Sequence, residues 1–197
     1  MRLPYRLLAL TALVPSVLAA QTRYSAGFSL VTGTKLVADR IFQDISVVER
    51  PAPTFTLGVT LPASERERVS FELALGFAKT RIREAGYPEY DGPSYRTLGI
   101  TAGVEGPILG ALHYRGGAGV IKYLPDKVGI FRQGGPTLLL LTMGADYRLP
   151  VHLGVGLIAR LRYDYQRFST DAMRSLGFGR TEDVHRVGLG LAVEYAP

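Results

Sequence analysis

The sequence predicts an all-β protein that folds as an eight-stranded antiparallel up-and-down transmembrane β-barrel. Three observations predict this fold: apolar and polar residues alternate along eight segments, long and short connections alternate between those segments, and one face of them is rich in glycine. Alternation with a period of two sends successive side chains to opposite faces of a strand. The i, i+3, i+4 spacing of an amphipathic helix does not account for these segments.

Residues 1–20 have the three parts of a secretory signal peptide. Two arginines precede the apolar run Leu7–Leu18, and small residues follow it. The run is too short to cross a bilayer as a helix. We therefore expect cleavage after Ala19 or Ala20, which leaves residues 21–197 as one barrel domain.

Composition narrows the classes of function. The chain has no cysteine, so neither a disulfide scaffold nor a thiolate metal site is available. Its formal charge of +6 is spread among apolar residues rather than gathered in a basic run, so nucleic-acid binding is not expected. After the signal peptide, the longest aliphatic stretch is Leu138–Leu141. If the protein spans a membrane, it does so with strands.

The alternation defines each predicted strand. In the last one, Val187, Leu189 and Leu191 share one face, and Gly188 and Gly190 share the other. Most segments have the length of 9 to 11 residues that a tilted transmembrane strand requires, or somewhat more. The predicted strands are 24–34, 54–61, 68–79, 95–105, 110–122, 137–149, 151–166 and 184–195.

The connections supply an independent test of the fold. Outer-membrane barrels have short periplasmic turns and longer external loops, and long and short joins alternate here in that order. With both termini in the periplasm, every long join falls outside the cell. The predicted external loops are 35–53, 80–94, 123–136 and 167–183.

The composition of the minor face indicates which side of the barrel faces lipid. Glycines and small hydroxyl residues suit the crowded interior of an eight-stranded barrel and would make a poor surface for a soluble one. The same face carries charges of both signs, which must be paired or hydrated inside a barrel. We expect them to form ion pairs that plug the lumen; a gate or narrow ion path through the pairs is the alternative. The predicted lumen charges are Glu72, Glu105, Arg115, Asp146, Arg148, Arg160, Arg162, Asp164 and Glu194.

Aromatic residues on the apolar face fall near both ends of the strands, as in the interfacial belts of membrane barrels. They are Tyr24, Tyr147 and Tyr195 at one end and Phe55, Phe77, Tyr163 and Tyr165 at the other. Cations follow the outer belt and could reach lipopolysaccharide phosphates, although ordinary solvated charges at the rim explain them equally well. These cations are Lys79, Arg96, Lys122 and Arg167.

These residues resemble the small outer-membrane barrel families typified by the transmembrane domain of OmpA, by OmpX and by OmpW. The resemblance covers nearly all of residues 21–197 and is one of architecture rather than of a diagnostic motif. It implies insertion by the outer-membrane assembly machinery, which recognises a final amphipathic strand ending in an aromatic residue, as His185 to Tyr195 does. Here Ala196 and Pro197 follow that aromatic residue.

One enzymatic alternative rests on residues at the fourth predicted loop. Lipid-A acyltransferases and deacylases of similar size use serine, histidine and carboxylates near the outer surface, and a histidine between an acid and a serine could activate the hydroxyl. The candidates are Ser169, Asp171, Glu182, Asp183 and His185, without a family motif to support them. We expect that the protein is not an enzyme and that it has no cofactor and no metal site.

A glycine motif at 154–159 matches the letters of a dinucleotide-binding fingerprint. That mechanism needs a following helix, whereas Arg160 to Tyr165 continue the strand alternation. Nucleotide binding is therefore not expected.

The sequence thus predicts a monomeric outer-membrane barrel of a Gram-negative-type bacterium, with a structural or surface-interaction role. Its expected partners are outer-membrane lipid, lipopolysaccharide and the assembly machinery. A lipid-A enzyme, a narrow channel for small or hydrophobic solutes and a soluble lipocalin-like periplasmic carrier are the alternatives.

Overall fold

The computed structural model describes residues 22–39, 45–124, 137–168 and 182–197. The predicted signal peptide and its cleavage site lie outside these residues. So do residues 125–136 and 169–181, which make up most of the third and fourth predicted external loops.

The described residues form ten strands and no helix. Within residues 22–39, 45–124, 137–168 and 182–197, no helix is long and apolar enough to cross a membrane. The strands are β1 (Arg23–Gly33), β2 (Lys35–Asp39), β3 (Ile45–Glu49), β4 (Ala52–Pro62), β5 (Arg68–Arg83), β6 (Tyr90–Leu109), β7 (Leu112–Leu124), β8 (Thr137–His152), β9 (Val155–Phe168) and β10 (Glu182–Tyr195).

Eight of these strands close into an antiparallel ring in the order β1, β4, β5, β6, β7, β8, β9 and β10, and β10 pairs with β1. Following the paired residues once around the ring from Tyr24 leads back to β1 at Thr34, ten residues further along (34 − 24). This offset corresponds to a strand tilt of about 40°. The predicted eight-stranded up-and-down barrel is confirmed.

The prediction that residues 35–53 form an external loop is wrong, because the interior of this segment contains two strands. β2 continues β1, and β3 leads into β4. β2 and β3 pair with each other, so that the β1–β4 hairpin extends beyond the barrel. β3 also pairs with the upper part of β5. Pro51 and Pro53, which cannot donate a backbone hydrogen bond, lie where the register slips by one residue between the β3–β5 and β4–β5 ladders. Apolar and polar residues alternate poorly in residues 35–53, so alternation does not predict β2 and β3.

The second predicted loop, 80–94, is also mostly strand. β5 runs on to Arg83 and β6 begins at Tyr90, with a bulge that places the extra residue in β6. Only the short stretch between these strands is a connection. The end of the barrel that is predicted to lie outside the cell is therefore a β-sheet made of β2, β3 and the upper parts of β5 and β6.

The outward face of the barrel is apolar. Leu57, Leu139 and Leu189 are 60%, 66% and 66% exposed, and small residues and charges point inward. With the strand tilt, the apolar band between the level of Tyr24 and the level of the cations Lys79, Arg96 and Lys122 is roughly 20–25 Å tall, close to the band expected for a membrane barrel. A soluble lipocalin-like carrier would carry the opposite pattern, so the outward face favours the membrane barrel over that alternative.

Candidate functional site

Glu72 is the hub of an ion-pair network inside the barrel. Its carboxylate accepts hydrogen bonds from Nη2 of Arg115 at 3.1 Å, from Nη1 of Arg160 at 2.9 Å and from Nη1 of Arg162. Glu72 is 6% exposed. A buried carboxylate with three guanidinium partners stays ionised only because these partners compensate for its lost hydration.

Asp146 and Asp164 complete the central layer. Arg160 donates to both carboxylate oxygens of Asp146, from Nε at 2.9 Å and from Nη2 at 3.1 Å. Arg162 donates from Nε to Oδ1 of Asp164 at 2.7 Å. Arg115 lies 3.7 Å from Asp146 as well. The planar fork of arginine suits such paired contacts.

A second layer lies toward the periplasmic end. Arg148 donates to Glu105 at 2.7 Å and lies 3.7 Å from Glu194, which also accepts a hydrogen bond from Arg23 at 3.1 Å. The structure thus places all nine charges predicted for the lumen in ion pairs. Six of them form the central layer, and the other three form the second layer. Arg23, at the very start of β1, was not among those predicted.

The outer mouth holds a third ion pair that the sequence did not reveal. Arg186 on β10 donates from Nε to Oε2 of Glu49 at 2.8 Å and from Nη2 to Oε1. The same Nη2 donates to the Tyr123 hydroxyl at 2.8 Å and contacts the Tyr95 hydroxyl at 3.3 Å. Arg186 continues the inward alternation from Gly188, so parity could have found it; Glu49 fell within a predicted loop and gave no such signal.

Apolar side chains close the mouth above this pair. Leu36 reaches the interior of the barrel because the β2–β3 register shifts beside it. It is fully buried together with aromatic and aliphatic residues from the barrel wall. The cluster consists of Leu36, Tyr95, Ile121, Tyr123, Leu140, Phe168 and Val184.

Two small cavities lie along the lumen. One, of about 20 Å³, is lined by Glu72, Arg115 and Arg160, and the other, of about 40 Å³, lies between Arg162 and Arg186. Arg162 lines both cavities. Each has room for about one to three water molecules. The described part of the lumen thus holds water-sized spaces beside buried ion pairs.

The four predicted rim cations all lie exposed on the outward face. With the strand tilt, the registers place their Cα atoms within about 4 Å of one level, roughly 20–25 Å from that of Tyr24. Arg167 lies 3.6 Å from Asp183, whereas the other three are diagonal neighbours on β5, β6 and β7. The set is Lys79, Arg96, Lys122 and Arg167.

The outer surface of β9 and β10 carries the residues of the enzymatic alternative. His185 faces outward, and its Nδ1 lies 2.6 Å from the hydroxyl of Tyr163. Tyr165 donates to Asp183 at 2.8 Å. Ser169 and Asp171 lie outside the described residues. Among the described residues, the hydrogen-bond partner of the His185 ring is a tyrosine. In the described residues, no group of three potential metal ligands occurs.

Comparisons with known proteins agree with this architecture. No family model matches the chain, and no curated protein sequence matches it. Among solved structures, Neisserial surface protein A superposes with a TM-score of 0.58 at 12% identity, covering 89% of this chain and 97% of that one.

OprG from Pseudomonas aeruginosa gives a TM-score of 0.53 at 15% identity, covering 91% of this chain and 98% of the other. Ail, the attachment invasion locus protein of Yersinia pestis, in complex with the heparin analogue sucrose octasulfate, gives 0.50 at 16% identity, covering 89% and 98%. The chain therefore has the fold of the small eight-stranded outer-membrane β-barrels, as its resemblance to OmpX and OmpW implied.

Proposed function

We propose that the protein is an outer-membrane barrel that acts at the cell surface, through its outer rim and its external β-sheet, rather than by passing solutes along its lumen. The observation that carries this proposal is the filled interior. Buried ion pairs occupy three levels of the lumen, around Glu105, Glu72 and Arg186, and apolar side chains cover the outermost level. Desolvated ion pairs in a narrow barrel hold fixed positions rather than offering a path for ions.

Location in the outer membrane is supported by the apolar outward face and by the two aromatic belts. Heat-modifiable gel mobility with fractionation of the cell envelope tests it. We expect the folded protein in the outer-membrane fraction, migrating differently before and after boiling. Recovery as a soluble periplasmic protein would contradict the proposal.

The interaction at the outer rim is with the phosphates of lipopolysaccharide. Lys79 is diagonal to Arg96, and Arg96 is diagonal to Lys122, so three cations on neighbouring strands lie roughly 7 Å apart. They lie just beyond the apolar band, where lipid phosphates are found, and long cationic side chains can extend toward such groups. The complex of Ail with sucrose octasulfate supports a polyanionic sugar as a ligand class for this fold.

Neutralising these three cations tests the interaction. We expect the triple variant Lys79→Gln, Arg96→Gln, Lys122→Gln to retain about tenfold less lipopolysaccharide per folded barrel than the wild type. Arg66→Gln, at an exposed periplasmic turn, is the matched control and should retain it normally. Equal retention by the triple variant and the control would contradict a role for these cations.

We further propose a monomeric protein without catalytic activity. The support for the absence of catalysis is that the ring of His185 is taken up by two tyrosines. Its Nδ1 is hydrogen-bonded to the Tyr163 hydroxyl, and the rings of Tyr163 and Tyr165 are tilted against it with centroids 6.0 Å and 5.3 Å away. Cells that express the wild type or His185→Ala should give the same lipid-A mass spectrum. Loss of a lipid-A modification in the variant would establish the enzymatic alternative instead.

A further inference from the structure

Without the side chains of the β2–β3 hairpin, the outer mouth of the barrel would be a pocket with apolar walls and a cationic floor. Tyr123, Phe168 and Val184 are fully buried wall residues, and Tyr123 packs on Phe168 with ring centroids 4.9 Å apart. Arg186 lies below them, 5.6 Å from the centre of the Tyr123 ring. Apolar walls around one fixed guanidinium suit a molecule with an apolar body and an anionic head.

The hairpin of β2 and β3 fills this pocket with matching chemistry. Leu36 supplies an aliphatic group and is fully buried against the walls. Glu49 supplies a carboxylate, and both of its oxygens accept hydrogen bonds from Arg186. Taken together, the two side chains present the groups of an aliphatic carboxylate to the barrel.

The floor of the pocket has a buried hydrogen-bond acceptor that the hairpin does not satisfy. Gln166 is 2% exposed, and its Nε2 faces the Tyr123 hydroxyl. Its Oε1 is buried and, among the described residues, has no hydrogen-bond partner. Such an acceptor costs free energy when it is left unmet. A water molecule held between this acceptor and the carboxylate of a bound ligand would donate to both.

We propose that the outer mouth is a binding site for small carboxylates with an aliphatic or aromatic body, which the hairpin occupies until a ligand displaces Glu49 from Arg186. Ligand binding and hairpin docking are then mutually exclusive, so each weakens the other. Because β3 pairs with β5 in the external sheet, displacement changes the surface that the cell exposes. The site thus adds ligand-dependent control to a barrel whose lumen stays filled below it.

Hydrogen–deuterium exchange in lipid nanodiscs tests the displacement, with octanoate as the probe and 1-octanol as the uncharged control. Octanoate should speed amide exchange in the peptides that contain β2 and β3, in a saturable way, and octanol should not. Removing the competing carboxylate with Glu49→Gln should tighten octanoate binding at least about tenfold. Glu89→Gln, in the neighbouring hairpin, is the matched control and should respond as the wild type does.

Two variants of the floor test whether the carboxylate binds Arg186. Arg186→Gln should abolish the response to octanoate. Tyr123→Phe keeps the guanidinium and the ring but removes one hydroxyl, so it should fold and bind octanoate several-fold more weakly. An equal response to octanoate and octanol, or no binding of octanoate to Glu49→Gln, would overturn the proposal.

Discussion

Gly33 lies against the carboxylate of Glu49, in space that a Cβ at position 33 would occupy. An added methyl group would overlap Oε2 of Glu49 and would come within 3.3 Å of Cγ of Arg186. The glycine therefore lets the external hairpin bring its carboxylate to the guanidinium on β10. The closed state of the outer mouth thus depends on a residue that has no side chain.

Gly33→Ala should destabilise the hairpin and, with it, the closed mouth. The barrel can accommodate the methyl group only by moving Glu49 away from Arg186, and such overpacking costs about 1–3 kcal/mol. Urea unfolding in lipid vesicles measures the loss. Gly99→Ala is the control, because a Cβ there would meet its nearest neighbour at an ordinary 3.6 Å. Equal stability of the two variants would show that Gly33 does not set the position of Glu49.

Glu72→Gln should be among the most destabilising substitutions in the barrel. It leaves three arginines without the anion that compensates for their burial, and breaking a buried ion pair costs about 3–5 kcal/mol. The free energy of unfolding in urea is again the readout. Glu89→Gln, which removes two ion pairs at the exposed external hairpin, should leave that free energy nearly unchanged. A similar small effect at Glu72 would contradict its role as the hub.

The filled lumen predicts that the protein does not form an open pore. Planar bilayers that contain the purified wild-type barrel should show no stepwise conductance at neutral pH, because buried ion pairs around Glu72 and Arg186 fill the lumen. Reproducible conductance steps that are absent from a bilayer prepared without protein would favour the alternative of a narrow channel.

The tip of the external β5–β6 hairpin should loosen at acid pH. Hydrogen bonds from Arg81 at 2.5 Å and from Arg83 at 2.6 Å hold the pKa of Glu89 below its ordinary value of 4.5. A carboxyl whose pKa is lower in the folded state stabilises that state above the ordinary pKa and loses this contribution as the pH falls through the lowered value.

Side-chain NMR of Glu89 as a function of pH measures this effect. The titration midpoint should lie below 4.5 in the wild type and should move up toward it in Arg81→Gln. An unchanged midpoint in that variant would show that Arg81 does not hold the carboxylate.

Strand parity accounts for what the sequence could predict. In a strand, position alone decides which face a residue takes, so the barrel, the apolar outward face and the inward charges such as Glu72 and Asp146 could be read from alternation. The β2–β3 hairpin could not be found in this way. Its strands have only five residues each, a bulge turns Leu36 inward, and Pro51 and Pro53 interrupt the pattern.

The same limit explains why strand alternation does not predict the ion pair between Arg186 and Glu49 at the outer mouth. The partners of Arg186 come from strands that are distant in sequence, and the position of Glu49 depends on how the external hairpin folds over the barrel. Alternation assigns a residue to a face but does not fix its height or its partner. The four rim cations could be predicted because alternation gives their face, and their place at the predicted strand ends, beyond the outer aromatic residues, gives their approximate level.

The barrel is proposed to span a membrane with its apolar face outward. Scanning one strand with spin labels tests this proposal most directly. Because the natural chain has no cysteine, single cysteine variants at 139–143 of β8 can be labelled one at a time in lipid vesicles. Collisions with oxygen, which is soluble in lipid, should be frequent at Leu139, Leu141 and Met143 and rare at Leu140 and Thr142. The reverse pattern, with the apolar positions protected and the alternate ones open to a water-soluble quencher, would contradict a membrane-spanning barrel.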